Sequence, residues 1–189
     1  MNNCYLDAEA VITFFRMTGR KHIFITGSRG SGKSHLVNNM LKYMSDSFNL
    51  LQSHRTDTPQ VVIKSNLVAD NKEFVIGVPR TSGINPASKG NNMTIIEDGF
   101  INCAIPAIDT HLDTTPERLF VIDELGYLES SCIPFQKAVE KLLDNSHVLA
   151  VIRKQSTEFL NRICNRKDVL VIDIDSTFET LSCIIMASG

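Results

Sequence analysis

Gly27-Ser28-Arg29-Gly30-Ser31-Gly32-Lys33-Ser34 decides how the rest of the chain is read. It matches G-x-x-x-x-G-K-[ST], the pattern of a loop that cradles phosphates, also called Walker A. Before it, His22-Ile23-Phe24-Ile25-Thr26 reads as a buried strand, and the residues after Lys33 read as a helix. Gly27, Gly30 and Gly32 allow backbone conformations closed to residues with a Cβ, so that successive N–H groups turn inward on an anion. The helix starting near Gly32 adds the positive end of its dipole. Lys33 has the reach for β- and γ-phosphate oxygens, and the Ser34 hydroxyl has the size and chemistry to ligate Mg²⁺. The candidate nucleotide-binding residues are therefore Gly27, Ser28, Arg29, Gly30, Ser31, Gly32, Lys33, Ser34 and His35. A glycine-rich turn that binds nothing is the competing reading, and the four fixed positions in a strand–loop–helix setting weigh against it.

Such a loop needs a carboxylate to organise a metal. Leu119-Phe120-Val121-Ile122-Asp123-Glu124 supplies an apolar strand ending in two acids, the Walker B arrangement. Asp123 is the candidate to hold Mg²⁺ with Ser34, and Glu124 to orient or deprotonate an attacking water. The next apolar run, residues 148–152, ends in Arg153, Lys154 and Gln155. In P-loop ATPases with this kind of acidic pair, that strand usually lies between the acidic strand and the loop strand. Arg153 or Lys154 would then face the γ-phosphate and stabilise charge in the transition state. A cation pair capping a strand end in solvent is the plain alternative.

Outward from these motifs, residues 7–17 place Leu6, Ala8, Val11, Ile12 and Phe15 near one face of a packing helix. After the loop, Leu36, Val37, Met40, Leu41 and Met44 follow the rhythm of a helix on a sheet. The middle third turns β-rich, with strands expected over residues 61–65, 74–78, 93–97 and 100–104. Asp98-Gly99 reads as the two-residue turn of a hairpin between the last two. Residues 79–92, rich in Pro, Gly, Ser and Asn, read as a mobile loop. Residues 106–118, broken by Pro116, can make only a short helix. The last third alternates: a strand over 119–122, a helix carrying Phe135, Ala138, Val139, Leu142 and Leu143, a strand over 148–152, a short helix with Phe159, Leu160 and Ile163, and a strand over 169–174. Ser176-x-x-Glu179 is a capping box for a final helix.

Single helices between strands imply a three-layer α/β domain with a mostly parallel central sheet and a short antiparallel hairpin insertion, its site at the carboxyl ends of the strands. One domain over residues 1–189 is expected, with an N-terminal helical extension over 1–20 and a β-rich insertion over 60–105. A net charge of −2 with no run of Lys or Arg leaves no electrostatic footprint for nucleic acid. No apolar stretch reaches the ~18 residues of a membrane span, and Asp7 and Glu9 are unlike a secretion signal, so a cytoplasmic protein is expected. The five cysteines, Cys4, Cys103, Cys132, Cys164 and Cys183, are scattered without metal-site spacing and read as free thiols.

The run Phe120-Val121-Ile122-Asp123-Glu124-Leu125-Gly126-Tyr127-Leu128-Glu129, with Phe135 and its helix, the strand over 148–152, Arg166-Lys167-Asp168-Val169 and Ile25-Thr26-Gly27, resembles the small P-loop nucleoside-triphosphatases first described in thermophiles, a family that also includes the cancer-related nucleoside-triphosphatase. The resemblance covers residues 22–48 and 119–175, and its D-E-[IL]-G…E signature is more specific than the phosphate loop alone. It implies Mg²⁺-dependent hydrolysis of nucleoside triphosphates, ATP, GTP and others, with Lys33, Ser34, Asp123 and Glu124 in the family's roles. Two other readings stay open. A small-molecule or nucleoside kinase would use Glu124 on a substrate hydroxyl and residues 79–92, with Arg80 and Lys89, as a lid, although a lid normally carries more arginines. A slow nucleotide-dependent switch would be favoured by exposure of Phe14, Phe15 and Met17.

Overall fold

The computed structural model describes residues 7–44, 47–80 and 93–176. Its centre is one eight-stranded sheet. In chain order the strands are β1 (His22–Gly27), β2 (Phe48–Arg55), β3 (Val61–Ser65), β4 (Phe74–Pro79), β5 (Met93–Ile95), β6 (Leu119–Leu125), β7 (His147–Arg153) and β8 (Val169–Asp173). In space they run β5-β4-β3-β2-β6-β7-β1-β8. The pairs from β2 through β6, β7 and β1 to β8 are parallel, and β2 to β5 form an antiparallel edge.

Helices cover both faces, as a buried parallel sheet requires. On one face lie α1 (Ala8–Thr18) and α2 (Lys33–Met44), which bury Val11, Ile12, Leu36, Val37 and Met40 against Ile23, Ile25, Val121, Leu149, Val151 and Ile172. Asp7 caps α1 by accepting the Ala10 N–H, and Gly19 closes it with φ 64°. Phe14 and Phe15 are half-buried and pack with this layer, whereas Met17 is exposed. On the other face lie α4 (Ile105–Thr114), α5 (Ile133–Asn145) and α6 (Glu158–Cys164), which meet Phe24, Phe120, Ile122, Val148, Ala150 and Ile152. Alternation along each strand therefore divides the apolar residues between two cores.

The middle third corrects two expectations. Asp98-Gly99 is no hairpin turn, and residues 100–104 are no strand: α3 (Glu97–Gly99) runs into a π-helical stretch, Phe100–Ala104, and on into α4. Gly99 is helical, with φ −66° and ψ −37°. Its reason is space: a Cβ there would lie 2.3 Å from the Val75 carbonyl oxygen. Pro106 cannot donate to a helical ladder, and the widened turn before it, in which the Ile105 N–H reaches Phe100 O, absorbs the break. The helical run before β6 is thus longer than residues 106–118 alone suggested, although it ends at Thr114, just ahead of Pro116. Reading the sequence also missed β2. The loop expected over 79–92 and the helix expected after Ser176 fall largely outside the described residues. Cys103, Cys132 and Cys164 carry free thiols. No described helix is long and apolar enough to cross a membrane.

Candidate active site

The phosphate-loop sequence leaves β1 at Gly27 and enters α2 at Lys33, with Gly30 at φ 77° and Gly32 at φ 92°, left-handed values that only glycine adopts freely. The Lys33 ammonium is folded over the loop and donates to the carbonyls of Gly27 at 2.8 Å and Ser28 at 2.6 Å. The Ser31 hydroxyl donates to Ser28 O at 2.7 Å, and the Leu36 N–H to Gly32 O at 2.9 Å, so the turn and the helix start are tied together.

β7 separates β1 from β6, the order expected for the cation at its end. Gly27 pairs in register with Arg153, which brings the end of β7 level with the start of the loop. On the other side, Ile122 faces Ala150 and Leu125 faces Ile152, so β6 carries one extra residue across Asp123 and Glu124. Such a bulge bends a strand and re-aims its side chains. Glu124 makes an ion pair with the Arg153 Nε, and Asp123 Oδ2 accepts from Gln52 Nε2 at 2.8 Å. Burial pushes the Asp123 carboxyl up from its ordinary value, while the Gln52 hydrogen bond opposes the rise.

Lys154 is placed differently. Its ammonium lies 2.8 Å from Asp173 Oδ2 and 3.1 Å from Asp175 Oδ2, and these carboxylates hold it above its usual lysine value. Asp175 in turn accepts the Ser28 N–H at 2.7 Å and the Ser28 hydroxyl at 3.0 Å, which fastens the loop to the end of β8.

These groups line one cleft of about 750 Å³, formed by Gly27, Ser28, Arg29, Gly30, Lys33 and Ser34 of the loop, Asp123 and Glu124 of β6, Arg153 at the end of β7, and Lys154 and Gln155 just after it. Its volume lies within the range of small-molecule sites. β2 adds Gln52, Ser53, His54 and Arg55, residues that sequence reasoning did not single out. Their alternation along β2 carried no motif, and only pairing with β6 brings Gln52 to Asp123. Ser31, Gly32 and His35 are not among the residues that line the cleft, and His35 Nε2 lies 3.0 Å from the Asn39 side-chain nitrogen. A hydroxyl at Ser34 and a carboxylate at Asp123 suit Mg²⁺, which completes its shell with water and substrate phosphates, and a cation there would relieve the burial of Asp123.

A protein-family model described as NTPase matches residues 22–179. Nucleoside-triphosphatase THEP1 of Thermotoga sp. (strain RQ2) is 26% identical over 155 residues, covering 81% of this chain and 86% of that one. The protein of the same name from Thermotoga maritima is 23% identical over 154 residues, with 81% and 86% covered. The crystal structure of THEP1 from the hyperthermophile Aquifex aeolicus superposes with a TM-score of 0.64 at 17% identity, over 88% of this chain and 98% of that one. The solution structure of a human cancer-related nucleoside triphosphatase gives a TM-score of 0.61 at 19% identity, over 89% and 97%. With the family model spanning the sheet from β1 to β8 and the phosphate loop and acidic strand both inside it, the chain belongs to the NTPase family and is a P-loop hydrolase.

Proposed function

We propose that the protein hydrolyses nucleoside triphosphates, ATP and GTP among them, to the diphosphate and phosphate in a Mg²⁺-dependent reaction. The observation that supports this most is the shared cleft: phosphate loop, Asp123 and the Glu124–Arg153 pair converge on it because β7 lies between β1 and β6. In this reading the loop N–H groups and Lys33 take the β- and γ-phosphates, with the Lys33 ammonium leaving the loop carbonyls for phosphate oxygens. Ser34 and Asp123 hold the metal ion, which neutralises phosphate charge when bound. Glu124 accepts a proton from, or orients, the attacking water. Arg153, drawn toward the γ-phosphate, stabilises the charge that develops there and frees Glu124 from its ion pair.

The kinase reading differs in needing an acceptor hydroxyl, and the switch reading in needing slow turnover. Exposure of Met17 alone, with Phe14 and Phe15 packed, gives the switch reading little support. Phosphate release from ATP, GTP, CTP and UTP, with protein alone and then with added nucleosides, separates the three. Release by the protein alone with Mg²⁺, at a rate that added nucleosides do not raise, is the expected result. Nucleoside phosphate formed in place of free phosphate would replace hydrolysis with phosphoryl transfer.

A further inference from the structure

The signature closes on Glu129, a carboxyl only 4% exposed that the hydrolysis described above does not use. It opens a short 3₁₀ turn, Glu129–Ser131, just past the Walker B strand. Its Oε2 accepts the Gly126 N–H at 2.9 Å, and its Oε1 accepts from the Ser53 hydroxyl of β2 at 3.3 Å. The Ser130 N–H and hydroxyl both donate to Gly126 O, at 3.0 and 2.6 Å, and close the same turn. The carboxyl therefore ties the peptide two residues past Glu124 to the strand whose Gln52 holds Asp123.

Arg153 crosses this turn. A Cβ on Gly126 would fall 2.9 Å from Arg153 Cδ and 3.4 Å from Glu129 Oε2, so the arginine stem rests on the glycine with the buried carboxyl beneath and Glu124 at its Nε. Burial pushes the Glu129 carboxyl up to about 7, with Glu124 of β6 adding to the rise and Arg153 of β7 opposing it. β2 presents the neutral Ser53, and α5 and α6 reach the turn through Gln136 and Thr157, both bonded to Ser130. An amide oxygen at this position could accept the Gly126 N–H as the carboxyl does, so the contact that holds the turn can be kept while the ionisable group is removed.

We infer that Glu129 is a positioning residue for the hydrolytic reaction, holding the Gly126 turn so that Glu124 and Arg153 are set together at the γ-phosphate end of the cleft. The inference rests on the hydrolytic reading, so the first measurement is phosphate release by the wild-type protein with MgATP. No release there removes that reading before any variant is compared.

Given wild-type turnover, Glu129→Ala lowers kcat at least about tenfold while KM, and the affinity for a non-hydrolysable ATP analogue, stay within about threefold. Arg153→Ala added to Glu129→Ala lowers kcat by less than about a further threefold, because the cation has already lost its seat. Glu129→Gln, whose amide oxygen can still accept the Gly126 N–H, returns kcat to within about threefold of wild type. If the alanine variant does not fold, Gly126→Ala, whose Cβ would fall 2.9 Å from Arg153 Cδ, is expected to lower kcat at least about tenfold in its place with KM within about threefold. A folded Glu129→Ala or Gly126→Ala with normal kcat, fully multiplicative effects of the Glu129→Ala and Arg153→Ala substitutions, or a Glu129→Gln no more active than Glu129→Ala would each overturn the inference.

Discussion

At the scale of single residues the site sorts its cations by partner. Among the described residues Lys33 is held by neutral oxygens of its own loop, so it is available to a triphosphate, and Lys33→Ala should lower the affinity for a non-hydrolysable analogue at least about tenfold in calorimetry. Unchanged affinity in a folded variant would remove the loop from the binding site. Arg153 and Lys154, adjacent in sequence, part company: one pairs with Glu124 in the cleft, the other with Asp173 and Asp175 at the end of β8. Arg153→Ala is therefore expected to lower kcat at least about tenfold, ~1.4 kcal/mol of transition-state stabilisation, with a smaller change in KM. Lys154→Ala is expected to act mainly on KM, through the Asp175–Ser28 contact that fastens the loop. Equal kcat losses in the two variants would contradict this division. The sequence alone could put both cations at the end of one strand but could not divide them, because the carboxylates that do so come from β6 and from the end of β8, far along the chain.

At the scale of elements, β1, α2, β6, β7 and β8 were legible because each is a motif or an uninterrupted apolar run between turn residues. β2 was not: Phe48–Arg55 mixes Leu with Gln, Ser and His, and its strand character comes from lying between β6 and β3. The α3 region was misread because Asp-Gly serves a hairpin and a tight helix–strand contact equally well, and only the Val75 carbonyl beside Gly99 tells them apart. The start of β1 carries its own prediction. His22 is fully buried, neither ring nitrogen finds a hydrogen-bond partner among the described residues, and burial lowers its pKa from 6.5 to about 4 despite Asp168 3.4 Å away. A group whose folded-state pKa is depressed in this way favours the fold above pH 6.5 and withdraws that support as the pH falls toward 4, because the unfolded chain takes up the proton first. The loss is on the order of 3 kcal/mol. Urea unfolding of His22→Leu should show a clearly shallower drop in stability between pH 6.5 and pH 4 than the wild type. Parallel pH profiles would exclude His22 as the source.

At the scale of the whole molecule, function follows from strand order. The phosphate loop and the acidic strand are about ninety residues apart in sequence and one strand apart in the sheet, and Arg153 comes from that intervening strand. The antiparallel edge contributes through β2, where Gln52 and Ser53 reach the acidic strand and its turn. The account's central claim is that turnover depends on the carboxylate of Glu124 while nucleotide binding does not. The direct measurement is phosphate release from MgATP by wild type and Glu124→Gln, alongside calorimetric affinity of each for a non-hydrolysable analogue. The account predicts that Glu124→Gln binds within about threefold of wild type and loses roughly a hundredfold or more in kcat, within the range for a general base. A Glu124→Gln protein that turns over at the wild-type rate would contradict it.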